Sequence, residues 1–125
     1  MRIDIKTKNL ELTEALRNFT EKKFLTLKKF INVLKKEDEI GKTLAEVLVE
    51  LEKETKHHRK GDVYVVKCQI HLPGRNLIAK AKLDDLLKAV VATRDEMKME
   101  IEKYKFKIAD KNRRKRKRAK RETII

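Results

Sequence analysis

The stretch LAEVLVELEKETKHHRKGDVYVVKCQIHLPGRNLIAKAKL, residues 44–83, decides the fold. Apolar and polar residues alternate in three runs, at residues 44–52, 62–72 and 77–83, and this period of two is typical of strands. The polar segment 53–61 predicts a hairpin loop between the first two strands. Pro73-Gly74-Arg75-Asn76 has the composition of a tight turn. Three strands joined in this way predict an antiparallel meander.

The first two of these strands differ in how clearly they show a buried face. In the first, Glu46, Glu50 and Glu52 share one face with Leu48, which predicts that this side of the sheet is partly wet. The opposite face carries Ala45, Val47, Val49 and Leu51. The second strand is apolar on both sides, so two faces are compatible with the core. Either Tyr64, Val66, Cys68, Ile70 and Leu72 or the residues that alternate with them could face the core.

A strand and a helix precede the meander. Residues 1–7 alternate between apolar and charged side chains, which predicts a half-buried strand. Residues 9–12 are expected to turn the chain, and Thr13 has the side chain of a helix N-cap. From Thr13 to about Lys36 the apolar residues recur at helical spacing, which predicts a long amphipathic helix. Residues 37–42 are polar and predict a loop.

A second long helix follows the meander, and either Asp84 or Asp85 is expected to cap it. Its apolar stripe ends near Lys107, and residues 108–125 are predicted to be a basic tail that is disordered in isolation. The order β-α-β-β-β-α predicts an α+β fold, a two-layer sandwich in which two helices cover one face of a four-stranded sheet. Residues 1–107 would form this domain. The stripe of the second helix is Leu83, Leu87, Val90, Thr93, Met97, Ile101 and Tyr104.

Positive charge is the clearest functional signal. The net charge is +14, of which +8 lies in residues 111–125 and +6 in residues 1–110. Nine of the eleven residues of KNRRKRKRAKR, residues 111–121, are Lys or Arg. Such a run is either a solvated tail or a segment bound to a polyanion. Because the body is basic as well, both parts favour a nucleic acid, and we expect RNA.

The sequence argues against several other functions. Cys68 is the only cysteine and is expected to be a core residue. The adjacent His57 and His58, with His71, lack the spacing of a metal site, and the pair Asp84-Asp85 is explained by helix capping. No apolar run is long enough to span a membrane. We therefore expect neither catalysis nor a metal or cofactor, and a cytoplasmic location.

The candidate RNA contacts lie in four places. The first helix is mostly positive on its wet face, whereas the second mixes acids with bases. Because Trp is absent and only two Tyr occur, contact with the RNA backbone is expected rather than base stacking. The candidates are Arg17, Lys22, Lys23, Lys28 and Lys29 in the first helix, Lys80 and Lys82 before the second, Arg94, Lys98 and Lys103 within it, and Arg113, Arg114, Arg116 and Arg118 in the tail.

Residues 1 to about 107 resemble a known family. The stretch IKTKNLELTEALR at residues 5–17, Lys23-Phe24 and Leu27 beyond it, and the helix opening DDLLKAV at residues 84–90 are similar to the bacterial ribosome hibernation-promoting factors, which include protein Y. The resemblance implies a fold like that of double-stranded-RNA-binding domains. It also implies binding to the 30S small ribosomal subunit in the channel for messenger and transfer RNA, contact with 16S ribosomal RNA and a block of translation in idle ribosomes.

The resemblance points to particular basic positions and also has gaps. Positions that keep the basic character of the family are Arg17, Lys23, Lys80, Lys82 and Lys103. Leu87 stands where the family often has Tyr, Thr26 replaces a common basic residue, and EMKMEI at residues 96–101 replaces a more basic run. Arg94 and Lys98 would supply that charge from a shifted place. The second, dimerising domain of the long forms is expected to be absent.

Three alternatives to translation silencing remain open at this point. The first is a structural ribosomal protein or a general RNA chaperone, and the second is an enzyme that acts on RNA. In the third it is a regulator that binds another protein through the wet face of the sheet.

Overall fold

The computed structural model describes the backbone of residues 2–31, 46–54, 61–72 and 75–124, and side chains as far as Arg118. The predicted loop at 37–42, most of the loop at 53–61 and the pair Pro73-Gly74 lie outside the described residues. The elements are β1 (Arg2–Lys8), α1 (Glu14–Leu25), β2 (Glu46–Lys53), β3 (Tyr64–Leu72), β4 (Arg75–Leu83) and α2 (Leu86–Ile124).

The four strands form one mixed sheet in the order β1-β2-β3-β4. Strand β3 is antiparallel to both β2 and β4, as the meander prediction requires, whereas β1 pairs in parallel with β2. A parallel pair needs a crossover connection, and α1 lies on that connection. The predicted α+β order is confirmed.

The core lies on one face of this sheet. Val49 of β2 is opposite Cys68 of β3, which is opposite Ala79 of β4, and all three are buried. This register decides which face of β3 is buried, since Val66, Cys68 and Ile70 point into the core with Val49 and Ala79. The glutamates of β2 lie on the opposite, open face, where Glu46 and Glu50 are exposed.

Both helices pack on the core face. The Thr13 hydroxyl accepts a hydrogen bond from the Leu16 amide at 3.1 Å and caps α1, as predicted. The carboxylate of Asp85, rather than Asp84, accepts from the Lys88 amide at 3.1 Å and caps α2. The buried helical side chains include Phe24 of α1, Leu27 and Ile31 just after it, and Val90, Met97 and Ile101 of α2.

The first helix is shorter than predicted. The Thr26 and Leu27 amides bond to carbonyls three residues back, at 3.3 and 3.1 Å, and the Thr26 hydroxyl donates to the Lys23 carbonyl at 2.6 Å. These tighter bonds end the α-helical ladder at Leu25. Residues 28–31 are helical again, and the predicted end of the helix at residues 32–36 lies outside the described residues. The apolar spacing continues through this break, which is why the sequence predicts a single helix.

The second helix is longer than predicted and runs to Ile124 instead of stopping near Lys107. The chain has no Gly or Pro after Gly74, and Lys, Arg, Ala and Glu are good helix formers. The tail that was predicted to lack regular structure is therefore helical in its backbone. The helix also crosses the predicted domain boundary at residues 107–108 without a break.

Candidate nucleic-acid interface

Six of the predicted cations lie on the helix layer of the fold and are here called the helix-side surface: Arg17, Lys22 and Lys23 of α1, Lys28 and Lys29 of the turn after it, and Lys98 of α2. Arg17 and Lys22 are exposed, while Lys23 is half-buried with its ammonium nitrogen 5.4 Å from the centre of the Phe19 ring. The ring holds the lysine stem against the helix and leaves the charge at the surface.

Two cations from different elements meet at Phe30. The Lys29 ammonium lies 5.2 Å from the centre of the Phe30 ring, and the Lys98 ammonium of α2 lies 4.9 Å from the same centre. Among the described residues, the ion pairs found do not include either lysine. The fold therefore brings two positive charges, neither of them ion-paired within the described residues, to one aromatic ring, which the sequence could not show because they are 69 positions apart.

Arg94 is placed differently from the other helix cations. Its Nη1 donates to the Thr26 hydroxyl at 3.1 Å, and its Nε lies 2.7 Å from Asp95 Oδ1. The guanidinium thus ties α2 to the end of α1 and is already paired with a carboxylate. Arg94 therefore has a structural function, which is to position the two helices beside each other.

Lys80 and Lys82 lie away from the helix-side surface. Leu77 and Ala79 of β4 face the core, so the alternating residues Lys80 and Lys82 face the open side of the sheet. The Lys82 ammonium is 3.0 Å from Glu54 Oε1. Lys80 is opposite Lys67, a cation that the sequence prediction did not include. The structure therefore separates these two candidates from those on the helices.

The remaining candidates lie along the second half of α2. Lys103 Nζ is 3.4 Å from Glu100 Oε1, and Asp110 pairs with Arg113 at 2.8 Å and with Arg114 at 3.2 Å. The hydrogen bond from Arg113 and the charge of Arg114 hold the pKa of the Asp110 carboxyl below its ordinary value. Arg116 and Arg118 are exposed.

Residues 3–109 match the family described as sigma 54 modulation protein / S30EA ribosomal protein. The chain belongs to this family. The match covers most of the chain, ends close to the predicted domain limit, and confirms the resemblance stated from the sequence. The S30EA family is one of ribosome-associated proteins.

Two solved structures have the same fold. The S30EA family chain superimposes on a ribosomal subunit interface protein from Coxiella burnetii with a TM-score of 0.63 and 21% identity, covering 84% of this chain and 98% of the other. The Thermus thermophilus Protein Y N-terminal domain gives a TM-score of 0.59 and 22% identity, covering 83% and 99%. The curated proteins contain no significant match.

Other kinds of site find little support in the described part of this S30EA family member. Within those residues no three His, Cys, Asp or Glu side chains are grouped as metal ligands would be. His71 Nδ1 is 2.8 Å from Asn76 Oδ1, while His57 and His58 lie outside the described residues. Burial raises the pKa of the Cys68 thiol to about 12, so it is not an available nucleophile. None of the described helices has the length and apolar character to span a membrane.

Proposed function

We propose that this protein is a ribosome hibernation factor. It binds the 30S subunit in the channel for messenger and transfer RNA, contacts 16S ribosomal RNA, and blocks translation by occupying the channel. It acts in the cytoplasm and without catalysis. Membership of the S30EA family supports ribosome association, and the structural neighbours include a ribosomal subunit interface protein and a Protein Y domain.

The meeting of Lys29 and Lys98 on Phe30 is the observation that carries this proposal. Placing two ammonium groups on one ring costs electrostatic free energy in the free protein, and a nearby phosphate would remove that cost. Arg17, Lys22, Lys23 and Lys28 add further positive charge to the helix layer, on α1 and the turn after it. A rigid surface of this kind fits the backbone of a folded RNA better than a small ligand.

The proposal is tested by co-sedimentation with purified 30S subunits. The double variant Arg17→Gln/Lys23→Gln is compared with Lys8→Gln/Lys67→Gln, which removes the same charge from the open face of the sheet. We expect the first to weaken binding by roughly 10- to 30-fold, since a hydrogen bond to a charged group contributes about 1 kcal/mol or more. The control should bind nearly as well as the unmodified protein. Equal affinity of both variants would show that the helix-side surface is not the contact.

A second measurement separates hibernation from a structural role on the ribosome. Purified 30S subunits are loaded with the protein, and the binding of messenger RNA and initiator transfer RNA is then measured by filter retention. Hibernation requires that loading falls as the occupancy of the protein rises. Normal loading on fully occupied subunits would favour the structural alternative.

The variant Lys80→Gln/Lys82→Gln is tested in parallel. Its affinity for 30S subunits reports whether the open face of the sheet also contacts RNA.

A further inference from the structure

The last part of α2 projects beyond the body of the protein. Ile108 is the last residue of the helix that belongs to the core, and Tyr104 one turn earlier packs against the same core. The Arg75 guanidinium of β4 lies 5.5 Å from the centre of the Tyr104 ring, which adds a contact between the helix and the end of the sheet. After Ile108 the helix continues to Ile124. At 1.5 Å per residue, the part from Ile108 to Arg118 extends about 15 Å.

The projecting segment is stiffened close to where it leaves the body. Asp110 is the only acidic residue between Lys103 and Arg118. It pairs with the residues three and four positions further along, Arg113 and Arg114, which is the spacing that stabilises a helix. The basic segment thus begins on an anchored and internally braced helix, so its direction relative to the body is set by Ile108 and Tyr104.

The charges of this segment surround the helix. Seven of the eight residues from Lys111 to Arg118 are Lys or Arg, and all seven are exposed. Because successive residues are about 100° apart, these seven side chains point in all directions around the axis. Their spacing along the axis is about one charge per 1.7 Å, which is similar to the phosphate spacing of a double helix.

The distribution of charge around this helix favours some polyanionic partners over others. A membrane surface would neutralise only one side, and a helix that inserts into lipid needs an apolar face, which residues 109–118 lack because Ala109 is their only apolar member. A single RNA strand has phosphates along one line. A groove of a folded RNA has a phosphate backbone on each wall and can neutralise opposite sides of the helix together.

We propose that residues 109–118 form a preformed basic arm that enters a groove of double-stranded RNA walled by phosphates on both sides. The arm works through its fixed direction as well as its charge. The inference rests on the proposed function in that ribosomal RNA supplies the groove. It assigns to this segment a role that the matched family region, residues 3–109, does not cover.

The test changes the helix and leaves the charge constant. Asn112→Pro removes one backbone donor and places a ring against the Ile108 carbonyl, which kinks or breaks the helix after its anchor. Asn112→Ala is the matched control, because it loses the same side chain and keeps the helix. The two probes are an RNA duplex of about 16 base pairs and oligouridine with the same number of phosphates. Circular dichroism of both variants verifies that the body is folded.

The expected result is a loss of about tenfold in duplex affinity for Asn112→Pro, no change for Asn112→Ala, and nearly equal oligouridine affinity for all three proteins. Equal duplex affinity of the proline variant and the unmodified protein would overturn the inference and show that the segment acts as a flexible polycation. Binding of the same proteins to 30S subunits is measured separately. If none of the three proteins binds 30S subunits but Asn112→Pro still weakens duplex binding, the proposed function is refuted and the inference about the basic arm is supported.

Discussion

Two buried threonines differ in how their hydroxyl groups are satisfied. The Thr93 hydroxyl of α2 lies 2.8 Å from the Ala89 carbonyl and 3.1 Å from the Val66 carbonyl of β3, so it links the helix to the sheet. The Thr20 hydroxyl of α1 is just as buried, but has no hydrogen-bond partner among the described residues. A buried polar group without a partner costs free energy, whereas a bonded one does not.

Replacing each threonine with valine should therefore change stability in opposite directions. Thr20→Val is expected to raise the free energy of unfolding by about 1 kcal/mol, and Thr93→Val to lower it by about 1 kcal/mol. Urea unfolding followed by circular dichroism measures both. If both variants lose stability to the same extent, the unpaired state of the Thr20 hydroxyl would be refuted.

Cys68 should be unreactive as long as the protein is folded. The thiolate is the reactive form, and burial raises the pKa of the Cys68 thiol from 9.0 to about 12. At pH 8 a disulfide reagent should label the native protein only at the rate of unfolding, and should label it at once in urea. The raised pKa also means that this group favours the folded state below pH 9 and loses that contribution as the pH rises towards 12. Fast labelling of the native protein at pH 8 would contradict this expectation.

At the scale of the elements, the strands were more predictable than the ends of the helices. The alternation around Val47 and Val49 identifies β2 because one of its faces is charged. Both faces of β3 are apolar, so only its pairing with Val49 and Ala79 decides that Cys68 is buried. The end of α1 depends on the hydrogen bonds of Thr26, which no apolar period can show.

The beginning of the basic arm should depend on pH. Its brace requires an ionised Asp110, whose pKa is lowered by Arg113 and Arg114. The contribution to helix stability is therefore complete above the ordinary carboxyl pKa and is lost as the pH falls through the lowered value. Asp110→Asn should remove it at every pH.

Amide hydrogen exchange of residues 109–118 measures this effect. In the unmodified protein, protection should fall in acid, while in Asp110→Asn it should be lower at neutral pH and change less on acidification. Equal protection in the two proteins at neutral pH would show that the two ion pairs do not brace the helix.

At the scale of the whole molecule, the positive charge is divided among three places: the helix-side surface, the basic arm and part of the open sheet face. The sequence identified most of these cations but could not assign them to surfaces. Lys80 and Lys82 precede α2 in the chain, yet the period of the strand places them on the far side of the sheet from the helices. Arg94 depends in the same way on tertiary structure, since Thr26 is 68 positions away.

The affinity for 30S subunits should fall steeply with salt. With about five to eight phosphate contacts, the logarithm of the association constant should decrease with a slope of roughly −4 to −7 against the logarithm of the salt concentration. Neutralising Arg113, Arg114, Arg116 and Arg118 with Gln should make this slope shallower by several units, because each lost phosphate contact removes nearly one unit. Sedimentation at increasing potassium chloride concentration measures both slopes. A slope near zero for the unmodified protein would exclude a binding mode dominated by phosphates.

The two outer strands of the sheet, β1 and β4, bear on how the protein behaves when it accumulates. Exposed strand edges are starting points for polymerisation into β-aggregates. Here β1 carries Lys6 and Lys8 and β4 carries Lys80 and Lys82, so two copies joined edge to edge would place ammonium groups opposite one another. The charge pattern that keeps the open face of the sheet wet therefore also opposes polymerisation through the two sheet edges.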